Sequence, residues 1–237
     1  MFVPVVRGAD AINCTSEGGN SRWSGHSLAG AYHGSAGVAD GQDLHQCANP
    51  SLVEVNGTFY FTNIEKGGVD YDIVQVGMGK CREPGTYCHS SMFYARGWGR
   101  RGTTSGSCAG FSDVLPTMVD TSLAWNGAAR TYKVYHQNNA WRMLVDSNQV
   151  YSVGEASICW SPGLASWFGE SWDIGDAIGG TAADHLRITT LNTASAENGN
   201  FTLTGLNPSA VCNYGIVSGP FFCDIINATT IDVWTNR

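Results

Sequence analysis

What most constrains this chain is its succession of short segments in which apolar and polar side chains alternate residue by residue, each ended by a turn signal. Alternation at period two marks a strand with one buried face. Leu52-Val53-Glu54-Val55 runs into Asn56-Gly57, and Thr58-Phe59-Tyr60-Phe61-Thr62 follows, the order of a hairpin closed by a tight turn. Tyr71 to Met78 and Ser91 to Arg96 read as further strands. Thr131 to His136 leads through Gln137-Asn138-Asn139 into a segment where Trp141, Met143 and Val145 share one face, opposed by Arg142, Leu144 and Asp146. Val150 to Val153 continues after the Asp146-Ser147-Asn148 turn, and His185 to Thr189, Phe201 to Thr204 and Ile231 to Trp234 read alike. No segment sustains a 3.6-residue period between caps, so little helix is expected. The expected fold is all-β: two packed antiparallel sheets forming a β-sandwich.

No linker composition, repeat or low-complexity tract divides the 237 residues, and sandwiches of this size form single units. One domain over residues 1–237 is therefore expected. Its Gly- and Ser-rich stretch from Gly18 to Gly41 reads as a surface arm, residues 1–48 being that arm and a first strand. Only 14% of residues are charged, against 30 Gly, 8 Trp, 9 Tyr and 9 Phe, a balance that favours strands and tight turns over helices. The net charge of −7, with Arg96, Arg100 and Arg101 the densest basic cluster, argues against a nucleic-acid partner.

Eight cysteines without a CxxC pair fit oxidised pairs outside the cytoplasm better than a zinc ribbon. Cys81 with Cys88, and Cys212 with Cys223, are the local pairs expected, each bracketing a loop or hairpin. Cys14, Cys47, Cys108 and Cys159 would pair among themselves in an order the spacing leaves open. Glycosylation sequons stand at Asn13, Asn56, Asn200 and Asn227. No stretch approaches the roughly 18 apolar residues of a membrane span, and the opening Met-Phe-Val-Pro-Val-Val is too short for a signal-peptide core. A secreted protein, in a form whose leader has been removed, is the expectation.

Two segments carry candidate chemistry. Gln75 stands between Val74 and Val76, so if the valines fill the core the Gln lines the opposite face, either as a plain surface residue or in a concave cleft. Glu170 follows Trp167, Phe168 and Gly169 and precedes Trp172, an aromatic setting in which a carboxyl can carry a proton as general acid, unless it is an ordinary rim residue. A Gln and a Glu on facing strands would hold a water against a carbonyl carbon. The histidines at 26, 33, 45, 89, 136 and 185 contain no HExxH and no close pair of ligand type, so neither metal nor cofactor is expected. No Gly-x-Ser-x-Gly elbow occurs. Asp173 and Asp176 read as turn residues rather than a calcium loop.

These segments resemble the active strands of the glutamic peptidase superfamily, which comprises fungal eqolisins, plant neprosins and bacterial secreted relatives. Gln75-Val76-Gly77 is similar to the strand that carries the catalytic Gln of eqolisins, and Phe168-Gly169-Glu170 to the strand that carries the catalytic Glu. The stretch from Ser171 to Gly180, Phe93-Tyr94, Cys108-Ala109-Gly110-Phe111 and Thr131 to Trp141 match further pieces in order, over roughly residues 50 to 190. The resemblance implies a jelly-roll-like sandwich and an acid-active endopeptidase. In it Glu170 would activate water and then protonate the leaving amine, while Gln75 would orient the water and stabilise the oxyanion. Tyr94, Trp98, Trp167 and Trp172 would line the substrate path. Phe-Tyr-Ala-Arg departs from the family at Arg96, and the Cys-bearing loop from Lys80 to His89 has no counterpart.

Two other classes compete. One is a secreted, non-catalytic sandwich that binds polysaccharide through Trp98, Trp167 or Trp172, or assembles with itself through exposed edges. The other is a jelly-roll glycosidase with Glu170 as one of two carboxylates. The partner is thus a polypeptide or a polysaccharide, with no nucleic acid and no membrane.

Overall fold

The computed structural model describes residues 22–40, 57–66, 72–81, 92–98, 128–154, 162–171, 180–197, 199–215 and 221–235, all of it strand, turn or irregular, with no helix among them. In chain order the strands are β1 (Arg22–Tyr32), β2 (Gly34–Ala39), β3 (Gly57–Lys66), β4 (Asp72–Cys81), β5 (Met92–Trp98), β6 (Arg130–His136), β7 (Ala140–Val145) and β8 (Asn148–Gly154). They continue as β9 (Gly163–Ser171), β10 (Gly180–Thr181), β11 (Asp184–Ala194), β12 (Phe201–Leu203), β13 (Tyr214–Gly215), β14 (Phe221–Asn227) and β15 (Thr230–Thr235).

The period-two segments are strands buried on one side. Trp141, Met143 and Val145 of β7 are wholly buried, while Arg142 and Leu144 between them are only half-buried. Tyr132, Val134 and His136 alternate the same way on β6. Asn138 and Asn139 close the β6–β7 hairpin at φ of 52° and 58°, the left-handed pair of a type I′ turn, and Asn tolerates that region better than most side chains.

The strands form two sheets. The six-stranded one runs β13-β1-β9-β3-β4-β5, and the nine-stranded one runs β14-β15-β10-β11-β2-β6-β7-β8 with β12 alongside β11. Pairing is antiparallel everywhere except the Thr181–Thr235 bridge between β10 and β15. Val74, Val76, Met78, Ala165 and Trp167 of the first sheet enter one core with Val134, Trp141, Met143, Leu186, Ile231 and Val233 of the second. The Trp167 indole N–H donates to the Ala36 carbonyl at 2.9 Å, tying β9 to β2 across the sandwich. The fold is the all-β antiparallel β-sandwich that the alternation predicts.

The Gly- and Ser-rich stretch is not a surface arm over its described part. β1 lies between β13 and β9, β2 lies between β11 and β6, and a single residue, His33, separates them. Its small residues are there because neighbours close in. A Cβ on Gly25 would meet the Trp167 carbonyl and the Phe168 Cβ at 2.5 Å, and one on Gly37 would meet Ile188, Leu191 and Trp167 side chains at 3.0 to 3.2 Å. Gly37→Ala should therefore destabilise the fold by about 1–3 kcal/mol through overpacking, read as a fall in the urea midpoint. An unchanged midpoint would show that the core yields there.

β3 starts at Gly57 as the Asn-Gly turn predicts, and its described neighbours are β4 and β9. Residues 52–55, the other arm of the expected hairpin, lie outside the described residues. Of the expected disulfides, Cys212–Cys223 is formed, with Cα atoms 5.9 Å apart. Cys14, Cys47, Cys88, Cys108 and Cys159 lie outside the described residues.

Candidate functional site on the outer face of the six-stranded sheet

Val74 and Val76 are fully buried in the inter-sheet core, so Gln75 between them turns to the outer face of β4. It is not a surface residue there, being only 2% exposed. In register it stands opposite Asn63 on β3 and Arg96 on β5, and Asn63 in turn stands opposite Ser166 on β9. Ser166 is wholly buried, and its Oγ has no hydrogen-bond partner among the described residues. Gln75 and Ser166 are thus buried polar side chains on the outer face, an arrangement that costs free energy unless something polar meets them.

Glu170 lies four residues along β9 from Ser166, in register with Phe59 on β3 and Trp23 on β1. Two strand spacings and four residue rises set its Cα about 16 Å from that of Gln75. The two positions belong to one three-strand surface, β9-β3-β4, and are not adjacent on it. The Glu170 side chain lies outside the described atoms. The same holds for Tyr94 and Trp98, whose backbones lie in β5, and Trp172 lies wholly outside the described residues.

Trp167 was expected to touch substrate, and its position corrects that reading. It is 0% exposed, on the core side of β9, with its one polar atom bonded to Ala36. Alternation places it on the face opposite Ser166 and Phe168. It is a core residue and no stacking platform. The nearest thing to an aromatic platform among the described residues is the row Phe222, Trp234 and His185 across β14, β15 and β11. Trp234 stacks on His185 at 3.9 Å and on Phe222 at 5.6 Å, a ring to each side, so its faces are occupied by its own neighbours.

A second polar group lies on the outer face of the nine-stranded sheet, where the sequence had singled out nothing. Asp232, 2% exposed, accepts both Arg187 Nε and Nη2 at 2.7 Å, and His185 Nδ1 is 3.5 Å away. Asp40 accepts the Arg187 amide at 3.2 Å. Burial, aided by Asp184 and Asp232, pushes the Asp40 carboxyl from 3.8 up to about 7, against the pull of that amide and the Arg187 charge. The folded chain keeps a proton on Asp40 that the unfolded chain gives up above 3.8. Its contribution is complete below that pH and is lost as pH rises through about 7. Asp40→Asn should therefore gain on wild type by about 2 kcal/mol between pH 4 and pH 8, after the discount a partly exposed carboxyl requires. Parallel urea titrations at both pH values check this, and a constant difference would refute it. Using the difference removes the opposing effect of His26, whose buried ring is harder to protonate and destabilises the fold in acid.

The histidines are regrouped by the fold. His26 is buried in β1, its Nδ1 without a hydrogen-bond partner among the described residues, while His33 and His136 become neighbours of Glu197. No helix among the described residues is long and apolar enough to cross a membrane. No protein-family model and no curated protein matches the chain.

Proposed function

We propose that this protein is a secreted hydrolase of the glutamic-peptidase kind, cutting polypeptide in acid through Gln75 and Glu170. The observation that supports the reading most is the burial of Gln75 at 2% exposure on the face turned away from the core. A buried amide requires polar partners, and alternation puts Gln75 on the same face of the sheet as Glu170. The motif order around Gln75 and Glu170 supports the reading independently. The roughly 16 Å between the two backbone positions keeps the side chains out of mutual contact, so the reading requires a substrate to bridge them across β9, β3 and β4.

In this reading the Glu170 carboxylate takes a proton from water as that water attacks the scissile carbonyl, then returns it to the departing amine. The Gln75 amide donates to the oxygen that becomes negative. The Cys212–Cys223 disulfide supports an oxidising compartment, hence secretion. Arg96, in register with Gln75 on β5, is where this chain departs from the family pattern.

The test is cleavage of an unfolded protein from about pH 2 to pH 7 by wild type and by Gln75→Ala. Loss of one preorganised oxyanion donor lowers turnover about 10²- to 10³-fold. Full activity in a folded Gln75→Ala protein would remove Gln75 from the mechanism. Absence of cleavage by folded wild type at every pH would instead favour polysaccharide binding or self-assembly.

A further inference from the structure

His33 forms the whole corner between β1 and β2. Its amide donates to the Ala194 carbonyl at 2.7 Å, and its carbonyl accepts the His136 amide at 2.8 Å. These bonds extend the β11-β2-β6 ladder one residue beyond Gly34, which pairs with both Ala194 and Tyr135. Residue 33 is thereby fixed between the end of β6 and the end of β11. His136 closes β6, wholly buried, its ring edge-on to Trp141 at 5.2 Å. Its Nδ1 lies 3.1 Å from Glu197 Oε1, in the turn that follows β11. One ligand atom from each of His33, His136 and Glu197 lies within 4.8 Å of the other two.

We propose that His33, His136 and Glu197 bind a divalent first-row metal ion of the zinc class at this corner. Two imidazoles and a carboxylate are a zinc donor set with a fourth position left for water. Calcium and magnesium are disfavoured, since both prefer all-oxygen shells. Two ligands about 2.0–2.1 Å from a tetrahedral ion stand about 3.3 Å apart, and the His136–Glu197 separation of 3.1 Å is close to that edge. Closing the wider separations asks for small rotations of His33, which is half-buried, and of Glu197, which is 46% exposed.

Backbone pairing, not local sequence, brings the three together from three adjacent elements. A bound ion would bolt the corner between the sheets to the ends of β6 and β11. The proposal does not depend on the hydrolase reading, since its three ligands come from the β1–β2 corner, the end of β6 and the turn after β11.

The experiment uses the full, untagged chain stripped with chelator and dialysed. Zn²⁺ binding is followed by calorimetry, and Co²⁺ binding by its visible d–d absorption. One ion per chain, held at micromolar concentration or below, is expected, with a Co²⁺ spectrum of low-coordinate intensity. His33→Gln and Glu197→Gln change side chains outside the core, so both variants should fold, as circular dichroism will verify. Each should weaken Zn²⁺ binding more than about tenfold. Absence of Zn²⁺ heat and of a Co²⁺ band in wild type would overturn the proposal. So would undiminished binding in either folded variant, which would move the ion to other histidines.

Discussion

Glu170→Gln should lower acid cleavage of an unfolded protein by at least about a thousandfold while leaving the chain folded. The substitution keeps size and shape and removes one property, the capacity to take up and return a proton. Positioned acid–base groups contribute about 10²- to 10⁴-fold, and here one residue is assigned both halves of the cycle. The fold has little stake in the change, because Glu170 enters the β1-β9-β3 ladder through its backbone, in register with Trp23 and Phe59. Glu170→Asp, which keeps the carboxylate one methylene further back, should fall between wild type and Gln. The measurement is initial rate against pH for all three proteins, beside their melting curves. Equal rates in wild type and Glu170→Gln would sink the assignment, and a rate lost together with the melting transition would expose a structural role instead.

Trp167→Ala should remove about 5 kcal/mol from the stability of the fold. Truncating a buried Trp costs about 3–5 kcal/mol through lost burial and an unfilled cavity. The Ala36 carbonyl loses the indole donor as well, and a buried acceptor without a partner costs about 1–3 kcal/mol more. Domains commonly have 5–15 kcal/mol in all, so the variant sits near its unfolding threshold. Trp167→Phe separates the two contributions: it keeps most of the bulk and loses the bond, so about 1–2 kcal/mol is expected. Urea unfolding of the three proteins gives the comparison. A cost under about 1.5 kcal/mol for Trp167→Ala would contradict its place at the centre of the core.

That Trp is also where sequence and structure part company. Its aromatic character and its closeness to Glu170 made it look like a ligand platform, yet alternation alone assigns it to the face opposite Ser166, where the core lies. β4, β6 and β7 were legible because one face of each is large and apolar and the other is not. β1 and β2 were illegible for the opposite reason. Their core positions are filled by Gly, Ser and Ala because neighbouring strands leave no room, and small residues carry no hydropathy signal. The Cys212–Cys223 pair was readable from its short bracket of chain. Asp40 with Arg187 and Asp232, and the corner histidines with Glu197, were not. Their partners stand on neighbouring strands of one sheet that are far apart in sequence, and no local pattern encodes such pairing.

The corner at His33 has a last consequence, for the order in which the molecule is made. The strands it joins belong to different sheets, and one of them finds its companions only in the final third of the chain: Ser27 bonds Asn213 across 186 residues. A ribosome releases the N-terminal segment long before those companions exist. Most of the described sandwich must therefore emerge before β1 can be enclosed. Maturation is governed by this late closure, and the nascent chain meanwhile offers unpaired strand edges to its surroundings.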